Sequence, residues 1–409
     1  MISFLTQPVS VLSDDEFGGS IDVEAYQTSG SLKQKKNIPL NPKMPIVSRG
    51  SKVLVSGANG FIAVWLVRSL LEKGYIVRGT VRSESKAEFL KNLFKDYGDK
   101  FETIVVSDIT ADGAFDEAVK GMDAVEHTAS PFHFRADDPE ELIKPAVKGT
   151  IGILESILKH GQNVKRVVVT SSTAAVTRAV SSPTVFSEAD WNDLAVKEVE
   201  DKGRAAPDPV KYLASKTLAE KVAWDFYNKN KSRITWDLVV LNPPYVFGPS
   251  IQDVPNPSVL GTSAAAWYEN VVTGTKDPEA GDGANDKGNS WVDVRDLAEA
   301  HIRALEREEA GGERIIVSAG PFKYQEWLDV ANSLKPSPIP SHPNLPKGNP
   351  GSTNKIYLSQ VDASKSGRIL GMVAGPEGSE LGLTGERIRY RTKEECTRDT
   401  LADFEAKGW

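Results

Sequence analysis

The tightest constraint on the fold of this chain lies at residues 52–73, where an apolar run, a glycine turn and an apolar-periodic stretch follow one another directly. Val53-Leu54-Val55 reads as a short buried strand. Gly57-Ala58-Asn59-Gly60-Phe61-Ile62-Ala63 then opens a helix predicted to run to Lys73. Gly57 permits the tight turn, Gly60 lets the backbone approach a pyrophosphate, and the small Ala63 permits close packing of helix on sheet. The helix start would present unpaired N–H groups and a positive dipole end to the phosphates. A plain turn into a helix would show the same glycine spacing, so the strand and helix on either side carry the reading.

From Val53 to Leu241 short apolar runs alternate with helical stretches. Strands are expected near Ile76, Ile104, Ala124, Val167 and Leu238, and helices near Glu84, Phe115, Glu141 and Leu218. That order predicts an α/β fold with a parallel, doubly wound sheet of Rossmann type. Right-handed crossovers would bring the strand ends carrying Gly57, Arg82, Asp108, Thr128 and Ser172 to one edge. After Pro249 the pattern changes to Pro, Gly and Asn clusters with separate helices near Ala265, Leu328 and Asp399, which predicts a smaller C-terminal substrate-binding region over 249–409. Lys335 to Pro350 reads as a Pro-rich surface loop. Residues 1–45 show no periodicity and are dominated by small and polar residues, so they read as a disordered tail ahead of a nucleotide domain at 46–248.

Tyr212 and Lys216 stand four residues apart in a segment, Val210 to Asn230, whose Ala, Leu, Lys and Glu content favours helix. On a helix both lie on one face, so the ammonium is expected to favour phenolate and pull the phenol's pKa below its reference of about 10. A half-buried tyrosine beside a solvated lysine would share this spacing. Val164 to Thr170 reads as a strand that delivers Ser171-Ser172-Thr173 to the ligand edge of the sheet, although such clusters also serve as plain turn chemistry.

These blocks resemble the extended short-chain dehydrogenase/reductase family, and within it the fungal aldehyde and ketone reductases of the methylglyoxal reductase type, relatives of the plant dihydroflavonol 4-reductases. The resemblance is carried by residues 55–63, by His127-Thr128-Ala129-Ser130-Pro131-Phe132, by Val169-Thr170-Ser171-Ser172 and by Asn242-Pro243-Pro244-Tyr245-Val246-Phe247-Gly248-Pro249, in that order. It implies Ser172, Tyr212 and Lys216 as catalytic residues, with Ser171 the less favoured serine. It implies cofactor contacts at Gly57, Asn59, Gly60, Phe61, Ile62, Arg82, Lys86, Asp108, Ile109, Thr128, Ala129, Ser130, Tyr212, Lys216 and Pro243. It also implies that residues 289–318, which contain Trp291-Val292-Asp293-Val294-Arg295-Asp296, return to the nucleotide domain, and that Met44 occupies the place of a start residue. Asp293 and Asp296 read as helix-capping acids.

The expected chemistry is reduction of an aldehyde or ketone by NADPH, with Ser172 on the carbonyl oxygen, Tyr212 supplying the proton, and Lys216 tuning the phenol and holding the nicotinamide ribose. A dinucleotide site for NAD would place an acid about 20 residues beyond the glycines. Thr80 and Val81 stand there, followed by Arg82 and Lys86, which in the related reductases hold the 2′-phosphate; Glu84 and Glu88 are alternative partners for both. Phe132, Phe134 and Tyr245 are expected to form an apolar, aromatic substrate pocket. A sugar-nucleotide epimerase or dehydratase, and an NADP-binding sensor without turnover, are the competing classes. The sensor has no need of Tyr212 and Lys216 together, and no convincing set of uridine-binding groups stands in the later region.

The net charge of −7 and the absence of a basic stripe with interleaved aromatics argue against a nucleic-acid partner. A single cysteine, Cys396, excludes internal disulfides and fits a reducing compartment. No apolar run approaches the roughly 20 residues of a membrane helix, so the expected address is the cytoplasm, as a monomer or homodimer. His127 and His133, six apart, lack a third ligand at metal spacing, and no metal site is expected.

Overall fold

The β-branched and aliphatic runs of the chain become short strands, and the computed structural model describes residues 44–130, 136–275, 288–351, 356–375 and 387–409. In chain order the early strands are β1 (Lys52–Ser56), β2 (Ile76–Val81), β3 (Phe101–Val105), β4 (Ala124–His127), β5 (Arg166–Thr170) and β6 (Thr184–Phe186). The later ones are β7 (Asp237–Asn242), β8 (Tyr245–Phe247), β9 (Asn289–Asp293), β10 (Arg314–Ile316), β11 (Gly320–Phe322), β12 (Ser359–Val361), β13 (Met372–Val373) and β14 (Ile388–Arg389). Seven of them form a central sheet in the order β10-β7-β5-β4-β1-β2-β3, every neighbouring pair parallel. This is a Rossmann-like α/β arrangement, and its parallel strands bring their carboxyl ends to a common edge.

The helices are α1 (Phe61–Glu72), α2 (Glu84–Leu93), α3 (Glu140–His160), α4 (Asp193–Lys202), α5 (Asp208–Asn230), α6 (Thr262–Tyr268), α7 (Val294–Glu306), α8 (Tyr324–Ser333), α9 (Ser364–Ile369) and α10 (Lys393–Lys407). Alternation along β1 sends Val53 and Val55 to one face and Leu54 to the other, because successive side chains of a strand point opposite ways. Val53 and Val55 join the apolar faces of α1 and α7, while Leu54 joins Ile153, Leu154 and Ile157 of α3 and Ala223 of α5. Beyond the sheet, Phe247, Trp267, Trp291, Phe322, Trp327 and Phe404 form a separate aromatic core in which the Trp291 and Trp327 rings meet edge to face at 4.7 Å. A small sheet β11-β9-β8 runs through that core, and β12 pairs in parallel with β6.

Two expectations are corrected here. The stretch around Phe115 is a succession of turns rather than a helix: Asp116 and Met122 close only three-residue turns onto Gly113 and Val119, and Gly113 takes a φ of +70°. Asp293 does cap α7, accepting the Arg295 N–H at 2.9 Å, but Asp296 does not share that role. Its buried carboxylate accepts the Arg391 N–H at 2.7 Å and pairs with the Arg391 guanidinium, tying α7 to the segment before α10. Cys396 is buried and free. Among the described residues no helix is long and apolar enough to cross a membrane.

Candidate active site

Helix α5 begins at a Pro207-Asp208-Pro209 start, with an acid in the first turn and no backbone N–H wasted on either proline. Tyr212, Lys216 and Glu220 follow at successive four-residue steps and are all buried, so the helix turns a polar row inward. Opposite this row, β5 ends at Thr170, and the chain leaves the sheet through Ser171 and Ser172. Their hydroxyls go different ways. The Ser172 hydroxyl lies beside the Tyr212 phenol, close enough to lower its pKa, and accepts the Ala174 N–H at 3.1 Å. The Ser171 hydroxyl donates to Glu220 Oε2 at 2.6 Å.

Glu220 is the hub of the support beneath these serines. Its Oε2 also accepts from Asn242 Nδ2 at 2.7 Å, and the same amide donates to the Ser172 carbonyl at 3.1 Å. Arg314 Nε donates to Glu220 Oε1, and the guanidinium carbon lies 3.7 Å from the centre of the Trp191 ring. The remaining Arg314 donors reach the carbonyls of Glu188 at 2.9 Å and Ala175 at 3.2 Å, so the buried carboxylate is both paired and hydrogen-bonded. The sequence reading missed Glu220, Asn242 and Arg314. For Glu220 a signal existed, since it stands one turn beyond Lys216 on the same helix face.

Electrostatics reverse one expectation. The Tyr212 phenol is pushed above its ordinary range by burial, with the Ser172 hydroxyl opposing. Burial likewise pushes the Lys216 ammonium down to about 8. Lys216 Nζ lies 5.8 Å from the centre of the Tyr212 ring and donates to Ser130 Oγ at 2.9 Å. Desolvation, which opposes charge on either group, outweighs the attraction that a nearby cation offers a phenolate.

The glycine turn fits a dinucleotide. Gly57 takes a φ of +65°, and a Cβ there would stand 3.1 Å from the Ala129 Cα, so only glycine lets β1 and β4 close at this point. Gly60 is the N-cap of α1 and accepts its first helical bond, from the Val64 N–H at 2.9 Å. That leaves the N–H groups of Phe61, Ile62 and Ala63 at a helix start, and all three residues line a cavity with Thr128, Ser130, Pro243 and Lys216. Ser56 Oγ accepts the N–H groups of Thr128 and Ala129 at 3.0 Å each and donates to His127 Nδ1 at 2.9 Å, which fixes the backbone of the facing wall. Burial holds His127 down at about 3, so the ring is neutral.

The other expected contacts lie farther out. Asn59 faces the loop after β8, its carbonyl accepting from Gln252 Nε2 at 3.0 Å. Arg82 is exposed at the end of β2. Lys86, at the start of α2, pairs with Asp253 at 2.9 Å, not with Glu84 or Glu88. Asp108 accepts the Thr110 N–H at 2.8 Å, and Ile109 packs against Gly149 of α3. Phe132, Phe134 and His133 lie outside the described residues. Among those described, no cluster of three or more His, Cys, Asp or Glu residues could hold a metal ion.

A second cavity of about 210 Å³ shares Ser172, Tyr212, Pro244 and Ser263 with the first. Tyr245 lines it, and its other described walls carry more hydroxyl groups than aromatic rings: Thr173, Thr177, Thr262, Ser263, Ser290 and Ser359. Ser172 and Tyr212 therefore stand where the two cavities meet.

The sequence model of the NAD dependent epimerase/dehydratase family matches residues 53–320. The chain is 39% identical over 333 residues to an NADPH-dependent methylglyoxal reductase of Saccharomyces cerevisiae, covering 78% of this chain and 92% of that one. It is 38% identical over 338 residues to a ketoreductase of Aspergillus niger, covering 80% and 94%. The crystal structure of yeast methylglyoxal/isovaleraldehyde reductase complexed with NADPH superposes with a TM-score of 0.73 at 35% identity, covering 87% of this chain and 99% of that one.

Proposed function

The chain belongs to the NAD dependent epimerase/dehydratase family, and on that premise we propose that Ser172, Tyr212 and Lys216 carry its chemistry. The protein is an NADPH-dependent oxidoreductase that reduces carbonyl groups. NADPH, when bound, supplies the hydride. The observation that supports the residue assignment is that Ser172 and Tyr212 together line the junction of two cavities, one running to the glycine turn and one away from it.

Tyr212, held above its ordinary range, keeps its proton at neutral pH and is in the form a general acid needs. A carbonyl oxygen placed between the Ser172 and Tyr212 hydroxyls accepts from both, and the proton passes from the phenol as negative charge grows on that oxygen. Lys216, one turn along the same helix, stabilises the phenolate left behind. The Glu220, Asn242 and Arg314 network keeps Ser171 and Ser172 at their stations, which leaves Ser172 for substrate. Arg82 and Lys86 take the 2′-phosphate, for which the phosphate competes with Asp253. The substrates are small aldehydes and ketones, and the protein works in the cytoplasm as a monomer or homodimer.

Tyr212→Phe removes the acid without removing the ring. With methylglyoxal or isovaleraldehyde as substrate and NADPH absorbance as readout, kcat is expected to fall by about a hundredfold to ten-thousandfold while NADPH binding stays close to wild type. Turnover near the wild-type rate would refute the assignment of Tyr212.

A further inference from the structure

We propose that Glu126 and His301 are positioning residues for the cofactor, holding the Thr170 hydroxyl as a hydrogen-bond acceptor toward the nicotinamide half of NADPH. The proposal rests on NADPH binding at the glycine turn and adds a point of recognition for the other end of the cofactor. Thr170 ends β5 and lines the cavity of Phe61, Ser130, Tyr212 and Lys216. It is not among the described walls of the cavity beyond Tyr212. Hydride transfer to a carbonyl at Ser172 and Tyr212 needs the nicotinamide beside them, and Thr170 stands two residues before Ser172, so that half of the cofactor is the one nearest to it.

The contacts begin inside the sheet. Glu126 of β4 pairs in register with Val55 of β1 on one side and Val168 of β5 on the other, and both valines belong to the apolar core that α1 and α7 cover. From α7, His301 brings Nδ1 to 2.7 Å from Glu126 Oε2 and Nε2 to 3.2 Å from Thr170 Oγ1. Glu126 and His301 are both fully buried. A carboxylate so close assigns the imidazole proton to Nδ1, which leaves Nε2 of the neutral ring to accept from the Thr170 hydroxyl. With its proton committed to the imidazole, the Thr170 oxygen offers the cavity lone pairs alone. The carboxamide N–H groups and ribose hydroxyls of the nicotinamide half are the donors that such an acceptor selects.

Stability does not explain the pair. Glu126 Oε1 has no hydrogen-bond partner among the described residues, and a buried polar network left partly unsatisfied serves a fold less well than apolar side chains of similar volume. Val55 and Val168, on either side of Glu126, show what this face of the sheet otherwise uses. What the pair secures is the direction of one hydroxyl at a half-buried position on the cavity wall. Without His301 the threonine is free to turn its hydrogen into the cavity, where it would meet an amide N–H with a second donor. Alternation along β5 also puts Thr170 on the α7 face with Val168, so Tyr212 and Lys216 of α5, on the other face, have no part in holding it.

The test is calorimetric titration of the full chain with NADPH and with adenosine 2′,5′-bisphosphate, which carries the adenosine end of the cofactor without the nicotinamide. Thr170→Val keeps the shape of the side chain and removes the hydroxyl. It is expected to weaken NADPH about tenfold and to leave the bisphosphate within about twofold, whereas a general loosening of the fold weakens both. Glu126→Leu is expected to reproduce the NADPH loss, and Glu126→Gln, whose amide oxygen still accepts from Nδ1, to stay within about threefold of wild type. An unchanged NADPH dissociation constant in Thr170→Val or in a folded Glu126→Leu, parallel losses for the two ligands, or equal losses in Glu126→Gln and Glu126→Leu overturn the proposal and leave carbonyl reduction standing. Thr170→Val decides the question if Glu126→Leu does not fold. Failure of the wild-type chain to bind either ligand overturns the cofactor reading and the proposal together.

Discussion

Burial, more than any neighbouring charge, sets the titration of Tyr212 and Lys216. The four-residue spacing that joins them was legible in the sequence because a helix face repeats almost every fourth residue. The direction of their shifts was not, since desolvation depends on walls contributed by β5, the turn after it and the segment ending at Ser130. Nor could Glu220 be matched to Arg314, which meets it from the far edge strand β10. A Lys216 ammonium pushed down to about 8 is charged below that pH and lost above it. If its charge supports the phenolate, kcat/KM for reduction declines by about tenfold per pH unit above about 8, and a pH–rate profile of Lys216→Arg, whose cation does not titrate, lacks that limb. The stability consequence has the opposite sign. The buried ammonium weakens the fold at all pH values below about 8, and that cost is relieved as pH rises from about 8 toward the unfolded value of about 10.4.

At the scale of elements, long strands and helices were readable and short or turn-built pieces were not. Six strands of the central sheet and the helices α1, α2, α3 and α5 lie where their apolar patterns place them. β6 and β12, three residues each, are too short to show a period, yet they build the wall that carries Ser359. The Phe115 stretch has the apolar spacing of a helix but starts at a left-handed glycine and closes mainly three-residue turns. The glycine turn was legible because its demand is local. Gly57→Ala would force a left-handed residue against the Ala129 Cα at 3.1 Å. The left-handed conformation alone costs about 1–2 kcal/mol for an alanine, so calorimetric titration is expected to show NADPH binding weakened by about tenfold, with a lowered melting temperature. An unchanged dissociation constant would remove the turn from the cofactor site.

Across the whole molecule, one buried arginine joins pieces that the sequence pattern left unconnected. Arg166 in β5 donates to both Asp237 oxygens in β7, at 2.6 and 2.7 Å, and to the Ala304 carbonyl of α7 at 2.7 Å. In the strand pattern it reads only as a polar interruption. Arg166→Ala leaves an acid and several carbonyls without their donor, and urea unfolding is expected to show a loss of about 3–5 kcal/mol. Little change would mean that the sheet and α7 hold together by apolar contact alone. The parallel register has a further effect, in time. Val53 pairs with Ala124, Arg166 with Asp237 and Thr184 with Ser359, so each closure waits for a progressively later stretch of chain. A ribosome makes the dinucleotide groove long before it makes β12. The wall that bears Ser359 is among the last parts of the cavity beside Tyr212 to exist, so in each newly synthesised copy the glycine turn is made well before that cavity is closed.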